Sequence, residues 1–427
     1  DEKDEFPWEL WREFTRLGYL GLRYPEEIGG MNADPVTAMI FYEQIARGSV
    51  GFAQSVIMNI LMGTYFVYRF GSQAIKERCL YPAMRGDKVA TMCFTEDQSG
   101  SDLSATRTTA VKDGNEWIIN GTKMWITNGP HADFATVLAT TDPSLGAKGL
   151  NFFLVEKGTP GFSPGQILDK LGCRGTITGE LVFDNVRVPE ENLLGAELNK
   201  GVEYLAEILD EVRVMTAAMA MGIAQAAYDE GLEYARKRIA FGKPIGTYQL
   251  IRAKFADMAT EMEASRLLIY SAAWKIKEKL PSRLEAAMAK MFATETCLKV
   301  VDEVTRIWGA NAFANEYNPQ RHFRDARFLL YGGGTHEILK DFSLGGNNGE
   351  TEEMVTVTRG NITGFAPNME ANLVDDNGVK LMSYADSYKG YKDVLTNYLV
   401  NLQFDNVRLD AFLGDGSPIK VTVSGGI

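Results

Sequence analysis

A polar segment over Thr95–Asp102 combines three hydroxyl side chains, three carboxylates and a glycine. Small residues around a glycine let backbone N–H groups come close to an anion or to the polar edge of a ring. The segment is therefore a candidate site for a cofactor or a substrate. An ordinary polar turn is the alternative interpretation.

A second segment, Lys123–Asn128, places an indole directly before hydroxyl and amide groups. Trp125 could stack on a planar cofactor while Thr127 forms a hydrogen bond with the edge of the same ring. The alternative interpretation is a core tryptophan that precedes a turn.

Two later segments carry arginines that suit phosphates. Arg238–Ile245 places a guanidinium beside an aromatic ring, which fits a phosphate and the base attached to it, and Gln249 follows. Arg324–Arg327 precedes Tyr331–Ile338, which contains three consecutive glycines. Because arginines at helix ends are also commonly solvated, neither segment decides a function alone.

The composition excludes several classes of protein. The 427 residues include 44 Lys and Arg and 56 Asp and Glu, so the formal net charge is −12. This acidic balance argues against a protein that wraps nucleic acid. A hydrophobic content of 45% excludes a disordered chain.

Cysteine usage predicts a reducing, cytoplasmic location. The four cysteines are far apart, with no CxxC pair and no histidine nearby; they are Cys79, Cys93, Cys173 and Cys297. The three histidines are isolated from one another; they are His131, His322 and His336. Neither a disulfide framework nor a metal site is expected.

A membrane span is not expected. The longest apolar run, Ser55–Val67, is interrupted by Asn59 and Gly63. It is shorter than the roughly 18–20 residues that cross a bilayer. The run therefore predicts a buried helix.

The hydrophobic pattern divides the chain into parts that must position these segments. Helical spacing dominates residues 1–90, and short β-type runs separated by turn dipeptides fill residues 91–195. Helical periodicity returns over residues 196–345 with few Gly or Pro, which predicts long antiparallel helices packed as a bundle. The fold class is therefore α+β: a helical domain, a small antiparallel sheet or barrel, and a helical bundle.

Residues 346–427 form a β-rich extension to which the sequence assigns no role. A glycine- and asparagine-rich linker precedes it at residues 345–349. We predict a hairpin turn at Asp376–Gly378 and a helix over Tyr391–Leu402. The predicted strands are Met354–Thr358, Val379–Met382 and Ile419–Val423.

Taken together, the order and spacing of the segments resemble the acyl-CoA dehydrogenase family. The family's signatures are a TEPxAGSD-like loop, WITN, RxxFGxxI…Q, QxxGGxG followed by RDAR, and EGTxEI. Their counterparts here are Thr95–Asp102, Trp125–Asn128, Arg238–Gln249, Arg306–Ala312 with Arg324–Arg327, and Gly333–Ile338. The resemblance covers about residues 1–342. It implies an N-terminal helical domain, a central antiparallel β-barrel domain and a C-terminal four-helix bundle, in agreement with the hydrophobic pattern.

The resemblance also implies FAD, an acyl-CoA substrate, a homotetramer and electron transfer to an electron-transferring flavoprotein. Carried over by position, the residues that line the flavin are Phe94, Thr95, Trp125, Ile126 and Thr127. Those that hold the phosphates and the adenine end are Arg238, Phe241, Gln249, Arg306, Gly309, Thr335 and Glu337. Those that meet the CoA moiety are Ser101, Asp210, Arg213 and Gly334.

One departure from the family concerns QxxGGxG, whose Gln and later glycines are Arg306, Ala310 and Ala312 here. Arg306 could still reach a pyrophosphate and would add a positive charge. FAD therefore remains the expected cofactor.

A larger departure concerns the catalytic base, which in most family members is the Glu of EGT. Gly333 occupies that position, and Val212 occupies the position on the bundle helix that a minority of members use. Glu211 is displaced by one residue, and this turns a helical side chain by about 100°. Neither usual base is present.

Asp97 is the replacement that we predict, since it takes the place of the family's proline beside the expected flavin. Family members that act on cyclohexane- or cyclohexene-carboxyl-CoA are similar in lacking the usual Glu. The run Gly332–Gly334 would also leave room for a ring. The alternative is that Asp97 only forms a turn.

The predicted function is therefore FAD-dependent dehydrogenation of an acyl-CoA, with an alicyclic carboxyl-CoA as substrate. A carboxylate removes a proton next to the thioester while a hydride leaves the neighbouring carbon for flavin N5. The alternatives are a short- or branched-chain acyl-CoA dehydrogenase, an acyl-CoA oxidase, and a non-catalytic flavin- or acyl-CoA-binding protein.

Overall fold

The computed structural model describes residues 3–195, 197–343, 371–374, 380–383, 408–412 and 418–422. These residues fall into two units, Asp1–Leu339 and Lys340–Ile427. The first unit contains all the segments whose chemistry the sequence singles out.

Short helices form the N-terminal part of the first unit. The Asp34 carboxylate caps one of them by accepting hydrogen bonds from the backbone N–H groups of Val36 and Thr37, at 2.9 and 3.1 Å. The helices are α1 (Trp8–Arg16), α2 (Pro35–Gly48), α3 (Val50–Ile57), α4 (Gly63–Phe70), α5 (Gln73–Ile75) and α6 (Tyr81–Met84). Wider π-helical turns at Met58–Met62 and Lys76–Leu80 join α3 to α4 and α5 to α6.

The continuous stretch Val50–Phe70 lies in the core. It is long and apolar enough to pass a membrane-span test by length and composition, but 94% of its apolar window is buried inside the fold. The prediction of a buried helix is confirmed. Within this stretch, the Asn59 side chain accepts a hydrogen bond from the Ala90 backbone N–H at 2.7 Å and donates one to the Ala83 carbonyl oxygen at 3.1 Å.

Eight strands follow, as the alternating pattern predicts. They are β1 (Ala90–Cys93), β2 (Thr109–Asp113), β3 (Glu116–Thr127), β4 (Phe134–Thr140), β5 (Leu150–Glu156), β6 (Phe162–Ile167), β7 (Thr178–Pro189) and β8 (Leu193–Leu194). They form one sheet in the order β6-β7-β3-β2-β4-β5-β8, with β1 beside β4. Trp117, Phe153 and Phe183 belong to the core of this sheet.

The predicted antiparallel barrel differs from this sheet in two respects. The β1–β4 and β2–β4 pairs are parallel, and the path of the described strands runs from β6 to β8 without closing. Turn dipeptides in a sequence reveal local hairpins, whereas β1 and β4 pair across a long stretch of chain. The local pattern therefore could not predict these long-range strand pairs.

Long helices complete the first unit and confirm the predicted bundle. They are α7 (Gly201–Lys237), α8 (Gln249–Lys277), α9 (Arg283–Trp308), α10 (Pro319–Phe328) and α11 (His336–Ser343). A short hairpin of β9 (Ile239–Ala240) and β10 (Lys243–Pro244) joins α7 to α8. Gly222 lets α7 approach α2 closely, because a Cβ there would lie 2.3 Å from the Glu43 carbonyl oxygen.

The second unit contains a four-stranded antiparallel sheet in the order β12-β11-β13-β14. Its strands are β11 (Ala371–Val374), β12 (Lys380–Ser383), β13 (Arg408–Phe412) and β14 (Pro418–Thr422). The predicted strands Val379–Met382 and Ile419–Val423 match β12 and β14 within one residue. The predicted linker at 345–349, the strand Met354–Thr358, the turn Asp376–Gly378 and the helix Tyr391–Leu402 lie outside the described residues.

Candidate functional site

A buried ion pair holds the turn that follows β1. Lys123 Nζ donates to Glu96 Oε1 at 2.7 Å and to the Phe94 carbonyl oxygen at 3.0 Å. The two charged side chains are 0% and 3% exposed. Glu96 also accepts from the backbone N–H groups of Arg107 and Thr108, so the carboxylate is held from several sides. Thr95 is therefore carried on a rigid turn.

Trp125 occupies a β-bulge of β3 directly beside that turn. The register of β3 against β7 shifts between Lys123 and Ile126, and Met124 N donates to the Thr95 carbonyl oxygen at 2.8 Å. Trp125 has a φ of +61° and is 58% exposed. A left-handed backbone is strained for a bulky residue, and such strain concentrates at functional sites.

These groups fit a flavin. The exposed indole of Trp125, next to the turn that carries Thr95, offers a surface on which a flavin could stack. Ile126 is only 3% exposed and belongs to the core of the sheet, so it can meet a ligand only through its backbone. The ring of Phe94 packs against Phe152, with centroids 5.6 Å apart.

Asp97 lies on the outer side of the same turn and is exposed. It lines a surface depression with Gln98, Arg107 and Met124. A carboxylate base gains strength from burial, so in this position Asp97 would need cover from bound ligands.

The residues of α7 that the resemblance assigns to the CoA moiety form a charged, largely buried group. Arg213 Nη1 donates to Asp210 Oδ1 at 3.2 Å, and the Ser282 hydroxyl donates to Asp210 Oδ2 at 2.8 Å. Arg213 is only 3% exposed, and burial lowers its pKa although Asp210 opposes the shift. Ser101, which was assigned to the same ligand, is exposed near the start of the sheet.

The loop before α11 takes a conformation that favours glycine. Gly333 and Gly334 have φ values of +73° and +104°. A Cβ at Gly333 would lie 3.1 Å from Thr216 Oγ1 and 3.8 Å from Val212 Cγ1. The two positions that carry the base in the family, 333 and 212, therefore lie close together here. The groups at this place are the Thr216 hydroxyl and a Val212 methyl group.

Glu211 points elsewhere, as the helical offset predicts. Its Oε2 accepts from Arg23 Nη2 at 2.6 Å, and the residue is 9% exposed. Arg23 also lies over the ring of Tyr65, 5.3 Å from its centroid. Glu211 therefore belongs to a buried ion pair between α7 and the N-terminal region.

A buried lysine supports the glycine loop. Lys290 of α9 is 0% exposed, and its Nζ donates to the carbonyl oxygens of Leu330 and Gly334 at 2.9 and 2.8 Å. Burial lowers the pKa of Lys290 to about 8. The two acceptors flank the loop, so one ammonium fixes both of its ends.

The residues assigned to the phosphates and adenine form no common cluster in one protomer. Arg238 and Gln249 are exposed at the ends of the β9–β10 hairpin, and Phe241 between them is 97% exposed with a φ of +51°. Arg306 donates to Asp302 at 2.7 Å on the surface. Gly309 and Glu337 are exposed and Thr335 is half-buried.

Sequence reasoning missed several supporting residues. Nothing in the motifs marks Glu96 and Lys123 as partners, and Thr216 and Lys290 lie outside the motifs. A lone lysine inside the alanine-rich stretch of α9 was a usable signal, because an unpaired lysine is rarely buried. Thr216 gave no signal.

No group of three or more His, Cys, Asp or Glu within the described ranges could hold a metal ion. The four cysteines are free and buried. Burial raises the pKa of Cys79 and Cys93 to about 12, so neither thiol is activated as a nucleophile.

An exposed, strained tryptophan beside a rigid turn, and a buried arginine on α7, agree with a flavin-dependent enzyme that acts on CoA thioesters. Models of the acyl-CoA dehydrogenase N-terminal, middle and C-terminal domains match residues 1–87, 91–186 and 199–343. The chain belongs to the acyl-CoA dehydrogenase family.

Individual relatives agree with this assignment. The chain is 44% identical over 340 residues to benzylmalonyl-CoA dehydrogenase of Aromatoleum aromaticum, covering 80% of this chain and 89% of the relative. It is similar to butyryl-CoA dehydrogenase of Megasphaera elsdenii, with a TM-score of 0.78 and 37% identity over 81% of this chain and 91% of that one. An FAD complex of PigA also matches, with a TM-score of 0.78 and 27% identity over 81% and 92% of the two chains. The protein is an FAD-dependent oxidoreductase that dehydrogenates an acyl-CoA.

Proposed function

We propose that this protein oxidises a ring-bearing substituted malonyl-CoA with loss of CO2. The observation that carries the proposal is Gly333, which supplies no carboxylate and where an added Cβ would first meet Thr216 and Val212. The relative at 44% identity is a benzylmalonyl-CoA dehydrogenase, which supports this substrate class.

A malonyl thioester removes the need for a base. Its free carboxylate sits on the carbon next to the thioester, and breaking that C–C bond releases CO2 and leaves the electron pair on the same carbon. A hydride then leaves the neighbouring carbon, and the electron pair forms the new C=C bond, which gives an enoyl-CoA. FAD, when bound, supplies the hydride acceptor.

The chain's own residues would bind, orient and desolvate this substrate. Val212 and the bare backbone of Gly333 would present apolar groups and no base to the carboxylate. Val212 and Gly333 offer a carboxylate there no side-chain hydrogen bond, and the Thr216 hydroxyl already donates to the Val212 carbonyl oxygen. Such local desolvation favours loss of the carboxylate as CO2. Arg213, braced by Asp210, would hold the CoA moiety at the other end.

A second candidate keeps the alicyclic substrate and Asp97 as the base. It is favoured by the place of Asp97 in the turn that carries Thr95, and by the side-chain volume missing over Gly332–Gly334. In this reaction a proton leaves the ring carbon for the Asp97 carboxylate while a hydride leaves its neighbour.

The proposal includes a homotetramer in the cytoplasm that passes electrons to an electron-transferring flavoprotein. Exposed apolar side chains on α8 support association, since Leu250, Leu267 and Trp274 are 79%, 63% and 50% exposed in one protomer. Buried free cysteines agree with a reducing compartment. A partner subunit would then complete the surroundings of Arg238 and Phe241.

Anaerobic titration of the FAD-loaded protein tests these alternatives. Benzylmalonyl-CoA should bleach the oxidised flavin and release one CO2 per flavin, whereas 3-phenylpropionyl-CoA, which lacks the carboxylate, should bind without bleaching it. Bleaching by 3-phenylpropionyl-CoA, or no bleaching by benzylmalonyl-CoA, would contradict the proposal.

The second candidate has its own discriminating variant. Cyclohex-1-ene-carboxyl-CoA should bleach the flavin only if Asp97 acts as the base, and Asp97→Asn should then abolish bleaching while FAD stays bound. Under the first proposal, Asp97→Asn leaves the reaction with benzylmalonyl-CoA intact. Oxygen consumption during turnover would identify an oxidase instead.

A further inference from the structure

Lys290 is a buried cation directly under the loop that lacks the base. Its Nζ is held 2.9 Å from the Leu330 carbonyl oxygen and 2.8 Å from the Gly334 carbonyl oxygen. Gly334 follows Gly333 in the chain, so standard backbone dimensions place the ammonium within roughly 9 Å of the Gly333 Cα atom. The loop therefore contacts this charge through Gly334 and lies against the face of α7 through Gly333.

The positive charge of Lys290 is not paired with a carboxylate among the described residues. Its hydrogen-bond acceptors are two neutral carbonyl groups. The ionisable groups whose charges act on it are Glu337 and Glu295, which favour the ammonium, and Arg213, which disfavours it. A buried cation without an ion-pair partner is costly, and a bound anion would reduce that cost.

The family's usual carboxylate at position 333 would supply such an anion, but this chain has glycine there. Position 333 thus adds no negative charge beside Lys290, and the two carboxylates that favour its ammonium, Glu337 and Glu295, are exposed and therefore screened by solvent. A substrate carboxylate that enters the space beside Gly333 would restore the balance.

We propose that Lys290 is a specificity-determining residue whose charge selects acyl-CoA substrates bearing a free carboxylate on the carbon next to the thioester. This inference rests on the proposed function, because it concerns the substrate class of the same site. The competing explanation is that Lys290 only clamps the loop at the carboxyl end of α10, where a cation is stabilised by the helix dipole.

Two substitutions separate charge from clamping. Lys290→Gln keeps two N–H donors for the Leu330 and Gly334 carbonyl groups but removes the charge. Lys290→Arg keeps both the donors and the charge. The FAD-loaded enzymes are compared by the KM for benzylmalonyl-CoA and by the inhibition constant of 3-phenylpropionyl-CoA.

We expect Lys290→Gln to raise the KM for benzylmalonyl-CoA on the order of tenfold, as a Coulomb attraction across about 9 Å in a partly screened interior implies. The inhibition constant of 3-phenylpropionyl-CoA should stay unchanged. Lys290→Arg should restore the preference for the carboxylated ligand.

The pH profile supplies a readout that a structural role would not move. Because the pKa of Lys290 is lowered to about 8, the wild-type preference for benzylmalonyl-CoA should fall as the pH rises through that value. The preference of Lys290→Arg should persist to higher pH, because a guanidinium stays charged there.

Equal changes for both ligands in Lys290→Gln, or a wild-type preference that does not change with pH, would overturn the inference while leaving the proposed function intact. No bleaching of the wild-type flavin by benzylmalonyl-CoA would remove the proposed function and the inference together. If Lys290→Gln fails to fold, Lys290→Arg and the wild-type pH profile still decide the outcome.

Discussion

The buried pair of Lys123 and Glu96 predicts a large loss of stability when one partner is removed. The side chains are 0% and 3% exposed, and Lys123 Nζ lies 2.7 Å from Glu96 Oε1. In Lys123→Met, Glu96 keeps its hydrogen bonds from Arg107 N and Thr108 N but remains a buried charge without a counter-ion.

Breaking a buried ion pair in this way costs about 3–5 kcal/mol. We therefore expect Lys123→Met to lower the free energy of unfolding of the first unit by about that amount. The double variant Lys123→Met with Glu96→Gln should recover part of the loss, because the orphaned charge is then gone. Lys157→Met is a matched control, since Lys157 and Asp133 form a 3.9 Å pair with side chains 64% and 33% exposed. Its cost should stay below about 1 kcal/mol.

Urea unfolding at pH 7, followed by tryptophan fluorescence, measures these differences. The same preparations report retained flavin, which should fall in Lys123→Met because Thr95 and Trp125 sit on the turn that the pair supports. A loss below about 1 kcal/mol in Lys123→Met, equal to the Lys157→Met control, would refute the reasoning, because it would mean that the pair is not desolvated.

Three further predictions follow from the same contacts. Gly333→Ala should lower the free energy of unfolding by about 1–2 kcal/mol because of the left-handed backbone, and by a further amount because the new Cβ crowds Thr216 Oγ1. Gly29→Ala is the control, since Gly29 has a φ of +87° but a Cβ there would meet nothing within 4 Å. An equal loss of stability in both variants would contradict the predicted crowding at Thr216. Trp125→Ala keeps a Cβ at φ +61°, so the backbone strain stays, but the flavin retained per protein should fall; unchanged retention would remove Trp125 from the flavin site. Burial alone would raise the pKa of Glu96, but Lys123 and hydrogen bonds outweigh it and lower the pKa. Its stabilisation is therefore present above the unfolded pKa of about 4.5 and lost as the pH falls, so the stability gap between wild type and Lys123→Met should narrow on acidification; a constant gap would argue against this charge.

Local pattern was enough to predict the order of helical and β-rich regions, because helices and hairpins are specified by neighbouring residues. Local pattern could not predict the parallel pairing of β1 with β4, because neighbouring residues do not specify a partner strand so far along the chain. Within the site, Trp125 was identified by its type, but its positive φ depends on the bulge against β7. Ile126 shows the converse, since motif matching assigned it to the ligand while the alternation of β3 buries its side chain.

The missing base is a property of the whole glycine loop and not of one lost side chain. A chain that had merely lost its base would keep a backbone suited to a side chain at position 333. Here Gly333 and Gly334 both have positive φ, and a Cβ at Gly333 would crowd Thr216. Lys290 meanwhile holds both ends of the loop, and Arg213 remains braced by Asp210. A conformation this constrained supports the proposed substrate, which needs no base, over a binding protein whose catalytic activity has been lost.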